Sequence, residues 1–215
     1  MAVKANEIVL LDVRVAYPKV YEPALPYMAN DKAEDEVVKE WSAQLRISKE
    51  QYEQCKAKIQ AVAQEKWAQK ATSMLKKIVK DSPKNMCCRE FEDEETGEVY
   101  YAIQAKRKEY RGAGGKAGKG SKNFPPQCLG LDRKRVTTAD DPEAITDGCF
   151  ANAKIGFFCY DKSVVGVGCD LIGLQFLKEG EPFGRSGSRV DDDDFPDLSA
   201  QSSVGKQEEE EDEPW

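Results

Sequence analysis

Ten basic residues crowd the segment from Lys106 to Arg135: Lys106, Arg107, Lys108, Arg111, Lys116, Lys119, Lys122, Arg133, Lys134 and Arg135. Only Glu109 and Asp132 oppose them, and aromatic rings lie among or beside them at Tyr100, Tyr101, Tyr110 and Phe124. This pattern suits a sequence-tolerant site for a single nucleic-acid strand. Positive charge follows the phosphates, and a flat ring accepts the face of any base, at roughly 1–3 kcal/mol per stacked base. The glycines of Gly112–Lys122 let the loop adapt to an irregular strand. The plainer reading is a solvated basic loop. A phosphate-binding P-loop fails on order: Gly115 and Gly120 have the spacing, but Ser121 precedes Lys122, and Phe124-Pro125-Pro126 follows where a helix must start. Tyr100 and Tyr101 point to opposite faces of a strand, so at most one is available to a ligand.

Other chemistries are poorly served. There is no histidine, which removes the usual general base, the commonest zinc ligand and the standard triads. Seven cysteines fall at 55, 87, 88, 128, 149, 159 and 169, with no Cys-x-x-Cys pair. Cys87-Cys88 with Cys128 and Cys149 makes a poor zinc set, and buried thiols account better for Cys149, Cys159 and Cys169. Asp132, Asp140, Asp141 and Glu143 read as a polar turn around Pro142. No catalytic residue, metal or cofactor is expected.

The net charge of −7 hides two unlike parts. Asp191 to Trp215 holds eleven carboxylates and one lysine, which leaves 31 basic against 28 acidic groups in the rest of the chain. A mildly basic body over residues 1–185 and an acidic tail over 186–215, expected to be disordered, follow from this asymmetry. The N-terminus has no apolar signal core and no apolar run is long enough to span a membrane, so a soluble, cytoplasmic protein is expected.

The elements that must position these residues are mostly strands. Val9, Leu11, Val13 and Val15 alternate with Leu10, Asp12 and Arg14, and Trp41, Ala43, Leu45 and Ile47 with Ser42, Gln44 and Arg46. Pro18, Pro23 and Pro26 mark an extended connector between them. Ser48 and Gln51 form a capping box, predicting a helix with Tyr52, Cys55, Ile59, Val62, Met74, Leu75 and Ile78 on one face, ending before Pro83. Val99–Lys106 is a third strand, and 150–161 and 164–177 form a hairpin turning near Asp161-Lys162. On the first arm, Ala151, Ala153, Ile155, Phe157 and Cys159 should face the core. Phe150, Asn152, Lys154, Gly156, Phe158 and Tyr160 share the other face, as a DNA-facing surface would. A face packed under the helix is the competing reading. Gly166 and Gly168 suggest close backbone approach. The class is mainly β: an OB-like five-stranded Greek-key barrel with one long inserted helix. That helix falls between the second and third strands, where the usual OB helix follows the third. Either a strand hides in residues 17–31 or the helix is an insertion.

Four pieces carry a resemblance: the first strand running into Tyr17-Pro18-Lys19-Val20-Tyr21-Glu22-Pro23; Gly148-Cys149-Phe150-Ala151-Asn152-Ala153 leading to Phe157-Phe158-Cys159-Tyr160; Val165-Gly166-Val167-Gly168-Cys169; and Leu174-Gln175-Phe176 followed by Gly180-Glu181-Pro182-Phe183-Gly184. In this order, with an acidic tail, the chain resembles the phage-encoded OB-fold single-stranded-DNA-binding proteins. The resemblance implies non-enzymatic single-strand binding in phage replication or recombination, in the cytoplasm of the infected bacterial host. It transfers no contact residues. The residues that the chain's own pattern assigns to DNA are Lys106, Lys108, Tyr110, Arg111, Lys116, Lys119, Lys122, Phe124, Lys154, Phe158 and Tyr160.

The tail ends in Glu208-Glu209-Glu210-Glu211-Asp212-Glu213-Pro214-Trp215. A tethered polyanion competes for the basic site at high effective concentration. Once displaced it offers replication or recombination proteins an apolar anchor, Trp215, flanked by steering carboxylates. A purely solubilising tail is the plain alternative. A second functional reading is an acidic-tail interaction protein, a DNA mimic or replication-machine tether, without strong DNA binding of its own. The oligomer is expected to be a monomer or dimer.

Overall fold

The computed structural model describes residues 4–26, 37–93, 97–111 and 120–183. Five long strands carry the architecture: β1 (Glu7–Ala24), β2 (Glu40–Ile47), β4 (Val99–Lys108), β8 (Phe150–Tyr160) and β9 (Gly166–Lys178). Short strands β3 (Cys88–Glu92) and β7 (Gln127–Leu129) extend the sheet to the order β3-β4-β2-β1-β8-β9-β7. A two-residue ribbon, β5 (Tyr110–Arg111) with β6 (Ser121–Lys122), stands apart. Chain neighbours β1 and β2 pair, but β1 also pairs with β8, which is the Greek-key step. The sheet curls until its ends meet. Just before β3, the Cys87 N–H donates to the Val167 carbonyl of β9 at 3.1 Å, while the Gln104 N–H of β4 donates to the Cys87 carbonyl at 2.8 Å. This is the OB-like barrel that alternation in the sequence predicts.

Its interior is built from alternate positions of the long strands, but the inward face switches at register shifts. One shift lies between Leu10 and Val13 on β1, so that Leu10 is buried while Val9 and Leu11 of the expected alternating set are exposed. Another lies between Leu171 and Leu174 on β9. Leu10, Val13 and Val15 on β1, Leu45 on β2, Ile103 on β4, Ile155 and Phe157 on β8, and Leu171 and Leu174 on β9 are all buried. All five core positions expected on β8 point inward, with Cys159 only half-buried.

Three details differ from the sequence pattern. The Pro18–Pro23 stretch is the second half of β1 itself, and its pairing with β2 lapses between Ala16 and Lys19 and again between Lys19 and Ala24. Proline has no N–H for the ladder, so β1 passes both prolines as irregularities. The described part of residues 17–31 is therefore a continuation of β1, and the helical segment is an insertion between the second and third long strands. That segment is also two helices. The capping box of Ser48 and Gln51 opens α1 (Lys49–Trp67), and α2 (Ala71–Asp81) follows a single 3-10 turn at Ala68–Lys70. The break falls where Ala68 takes φ of 48° and Trp67 turns its indole N–H onto Asp161 at 2.9 Å. Cys55, Ile59, Val62 and Ile78 of the expected face are buried, as are Ala63 and Ala71. Finally, the short strands β3, β5, β6 and β7 lack the alternation that marks the long ones.

The described residues up to Phe183 form one compact unit. The expected acidic tail lies outside the described residues.

Candidate nucleic-acid interface

β8 and β9 are joined by a tight connection after Tyr160, which puts Phe158 directly opposite Gly168 and Tyr160 directly opposite Gly166. Each ring lies in the space its partner's side chain would take: a Cβ on Gly168 would run into the Phe158 ring, and one on Gly166 into Tyr160. The missing side chains let both rings lean over β9, tilted 45° to each other. The two ring centroids are 6.2 Å apart, and Phe158 remains 47% exposed. Burial raises the Tyr160 hydroxyl above its ordinary pKa, so it stays neutral.

These rings form one wall of a groove of about 980 Å³. The other wall is the end of β4 with Lys106, Arg107 and Lys108, and Tyr110 of β5. Asn85, Met86 and Cys87 lie between them, where the barrel closes. Five of the sequence-predicted contacts, Lys106, Lys108, Tyr110, Phe158 and Tyr160, thus meet in one place from segments some fifty residues apart in the chain.

The groove's cations are largely answered by carboxylates. Lys106 Nζ sits 2.7 Å from Glu40 Oε1. Arg107 donates to both oxygens of Asp170, at 2.9 and 2.7 Å, tying β4 to β9 across the closure. Lys84 and Lys108 line the groove without an ion pair to a described residue. The walls therefore offer flat rings and a moderate positive field. Such an arrangement favours base stacking with reversible phosphate contact.

The remaining candidates are elsewhere. Lys154 lies off the groove, bonded at 3.0 Å to Glu7, and this ammonium holds the Glu7 carboxyl below its usual range. Lys122 stands in the β5–β6 ribbon opposite Tyr110, 3.5 Å from Glu109. Arg111 pairs through its backbone with Ser121. Phe124 is 85% exposed just beyond the ribbon and does not line the groove. Lys116, Lys119 and the tail residues Glu208–Glu213 and Trp215 lie outside the described residues. Of the Tyr100–Tyr101 pair, Tyr101 stacks on Tyr52 of α1 at 4.6 Å, leaving Tyr100 on the outer face.

Sequence reasoning missed Asn85, Asp170, Arg107 as a closure residue, and Glu40 as a counter-charge. Nothing local marks them: each matters because of a partner more than sixty residues away. The cysteines are quiet. Burial pushes the Cys87 thiol to about 12 and Cys128 and Cys149 to about 11, while a hydrogen bond with Cys55 together with burial raises Cys88. These thiols are protonated at neutral pH and so are weak nucleophiles. Among the described residues no group of three or more cysteine or carboxylate side chains is placed to hold a metal ion, and no helix is long and apolar enough to cross a membrane.

Comparison with known proteins adds the following. Protein p50 of Acyrthosiphon pisum secondary endosymbiont phage 1 is 28% identical over 204 residues, spanning 90% of this chain and 94% of that protein. The single-stranded DNA-binding protein from bacteriophage Enc34, solved in complex with ssDNA, superimposes with a TM-score of 0.58 at 19% identity, over 84% of this chain and 91% of that one. The gp2.5 single-stranded DNA binding protein encoded by bacteriophage T7 gives a TM-score of 0.50 at 13% identity, over 86% and 98%. These structural likenesses carry the fold. A family model described as "Enterobacter phage Enc34, ssDNA-binding protein" matches residues 6–210. With nearly the whole chain matched, this protein belongs to the Enc34 ssDNA-binding protein family.

Proposed function

We propose that the chain binds single-stranded DNA without sequence preference and without catalysis, stacking bases on Phe158 and Tyr160 while Lys106, Lys108 and Lys84 attend the phosphates. The observation that carries this is the pair of rings reaching over Gly168 and Gly166 on the wall of a cationic groove, with Phe158 47% exposed. Stacking uses a face that every base has, so it is sequence-tolerant. A duplex hides those faces, so the same wall discriminates against it. The Enc34 relative's structure with ssDNA supports the reading.

In this proposal, residues 1–185 are the binding domain. The strongly acidic 186–215 segment competes with DNA for the cations and, when displaced, recruits replication or recombination proteins through Trp215. The support is its charge: eleven carboxylates against one lysine from Asp191 onward. The site of action is the cytoplasm of the infected host, as monomer or dimer.

Mobility-shift titration with single- and double-stranded oligonucleotides tests the central claim. Binding is expected for the single strand and to be at least tenfold weaker for the duplex. Equal affinity for both, or none for either, overturns it.

A further inference from the structure

The hairpin that carries Phe158 and Tyr160 is gripped at its tip by the helical insertion. Asp161 follows Tyr160 directly. Its carboxylate accepts from the Trp67 indole N–H at 2.9 Å and lies 3.3 Å from the Lys66 ammonium. Both donors stand at the end of α1. On the other arm, the Asn85 side-chain amide donates to the Val165 carbonyl at 3.3 Å, one residue before β9 begins. Asn85 belongs to the short 3-10 turn Pro83–Asn85 that follows α2. The insertion thus holds the tip on either side of the turn 161–165. Lys66, Trp67 and Asp161 do not line the groove.

Packing does little to fix the tip. A hollow of about 190 Å³ separates it from α2, with Met74 and Ile78 on one side and Val164 and Val165 on the other. Val164 is exposed. The polar contacts therefore set where the tip lies. The helix breaks to make them: Ala68 takes φ of 48°, a region costly for any residue with a Cβ, and Trp67 immediately before it reaches Asp161. The indole and the ammonium hold the Asp161 carboxyl below its usual range, so it stays a charged acceptor at neutral pH. Successive residues of an extended chain point to opposite faces. Asp161 reaches back to α1, while Tyr160 leans over Gly166 on the groove wall. The peptide joining them is planar, so anchoring Asp161 limits where the Tyr160 ring can go, and the Phe158 ring beside it at 6.2 Å.

We propose that Trp67 and Asp161 are positioning residues for base stacking: their hydrogen bond, backed by Lys66, holds the β8–β9 tip where Tyr160 and Phe158 can meet a base, without touching the strand themselves. This rests on the groove reading above, and the test separates the two. Full-length protein is titrated with an oligothymidine of about 8 nucleotides and with an abasic strand of equal length, which keeps the phosphates and lacks the bases. Asp161→Ala is expected to weaken oligothymidine binding about fivefold, within the share of one stacked base. Abasic-strand binding should stay within about twofold and the salt slope should not change, because no phosphate contact is lost. Trp67→Phe keeps a ring, removes the N–H and should do the same. Asp161→Asn makes the same charge change as alanine but keeps an oxygen for the indole, so it should restore oligothymidine binding. Failure of that rescue overturns the proposal. So does an equal loss on both strands, which a merely structural or electrostatic role would give. So does unchanged oligothymidine binding by Asp161→Ala and Trp67→Phe where Phe158→Ala weakens it. If Phe158→Ala binds oligothymidine like the wild type, it is the stacking wall that has failed, and the latch falls with it. Should Asp161→Ala not fold, Trp67→Phe decides by the same two strands.

Discussion

Phe158 and Gly168 are cross-strand partners, and the phenyl ring occupies the volume that any side chain at 168 would need. The glycine thus makes a platform out of its neighbour. On an ordinary strand pair two side chains would stand upright side by side, and neither would present a flat face.

Gly168→Val should lift the Phe158 ring off β9. Single-strand affinity is expected to fall about tenfold, within the 1–3 kcal/mol of one stacked base. Fluorescence anisotropy with oligothymidine reads the affinity and thermal unfolding the fold. An affinity loss no larger than that of a surface control would remove the platform from the mechanism.

Glu40→Gln should strengthen binding. Glu40 is buried beside Lys106 and neutralises it at 2.7 Å. The amide keeps the shape and releases the ammonium to a phosphate. Affinity at low salt is expected to rise severalfold, with a salt slope steeper by about 0.7. Asp170→Asn should act in the same sense on Arg107, at some expense in stability, because that pair joins β4 to β9.

Deleting Asp191–Trp215 removes a net charge of about −10, the sum of eleven carboxylates and one lysine. Binding at low salt should become tighter, and the gain should shrink as salt screens the competition. Weaker binding after deletion would contradict a competing tail.

Alkaline pH should destabilise the fold through Cys87. Its folded pKa is raised to about 12 by burial, against roughly 8.5 in an unfolded chain. Between those values the unfolded state releases a proton that the folded state retains, so stability falls as pH rises. The slope approaches about 1.4 kcal/mol per pH unit for this one thiol, and the effect is absent below about pH 8. Denaturant melts at pH 8 and pH 10 measure it, and Cys87→Ala should lessen the difference by one thiol's share, the remainder coming from the other buried thiols raised in the same way, Cys88, Cys128 and Cys149 among them.

Much of the fold follows from the chain's local pattern. Alternation marks the five long strands because one face of each is buried, and Ser48 with Gln51 marks a helix start because two orphan N–H groups need acceptors. The long strands are legible for that reason. The short ones, β3 and β7, are set by pairing with β4 and β9, which no local window contains. The division into a mildly basic body and an acidic tail is likewise a property of composition. Gly166 and Gly168 signal close approach, and Phe158 and Tyr160 stand on the outward face, as alternation requires.

What the tertiary structure alone decided is which charges are available. Lys106, Arg107, Lys122 and Lys154 look equally free in the sequence, yet each faces a carboxylate. Arg46 and Arg89 look like ordinary outward arginines, yet each ends against aromatic rings with no carboxylate partner among the described residues. Coulomb interactions depend on distance through space: the pairing of β2 with β4 brings Glu40 to Lys106, and the closure of the barrel brings Asp170 to Arg107, each across more than sixty residues of chain. Residue types can therefore announce a single-strand binder, while the route a strand takes across it depends on how the barrel closes.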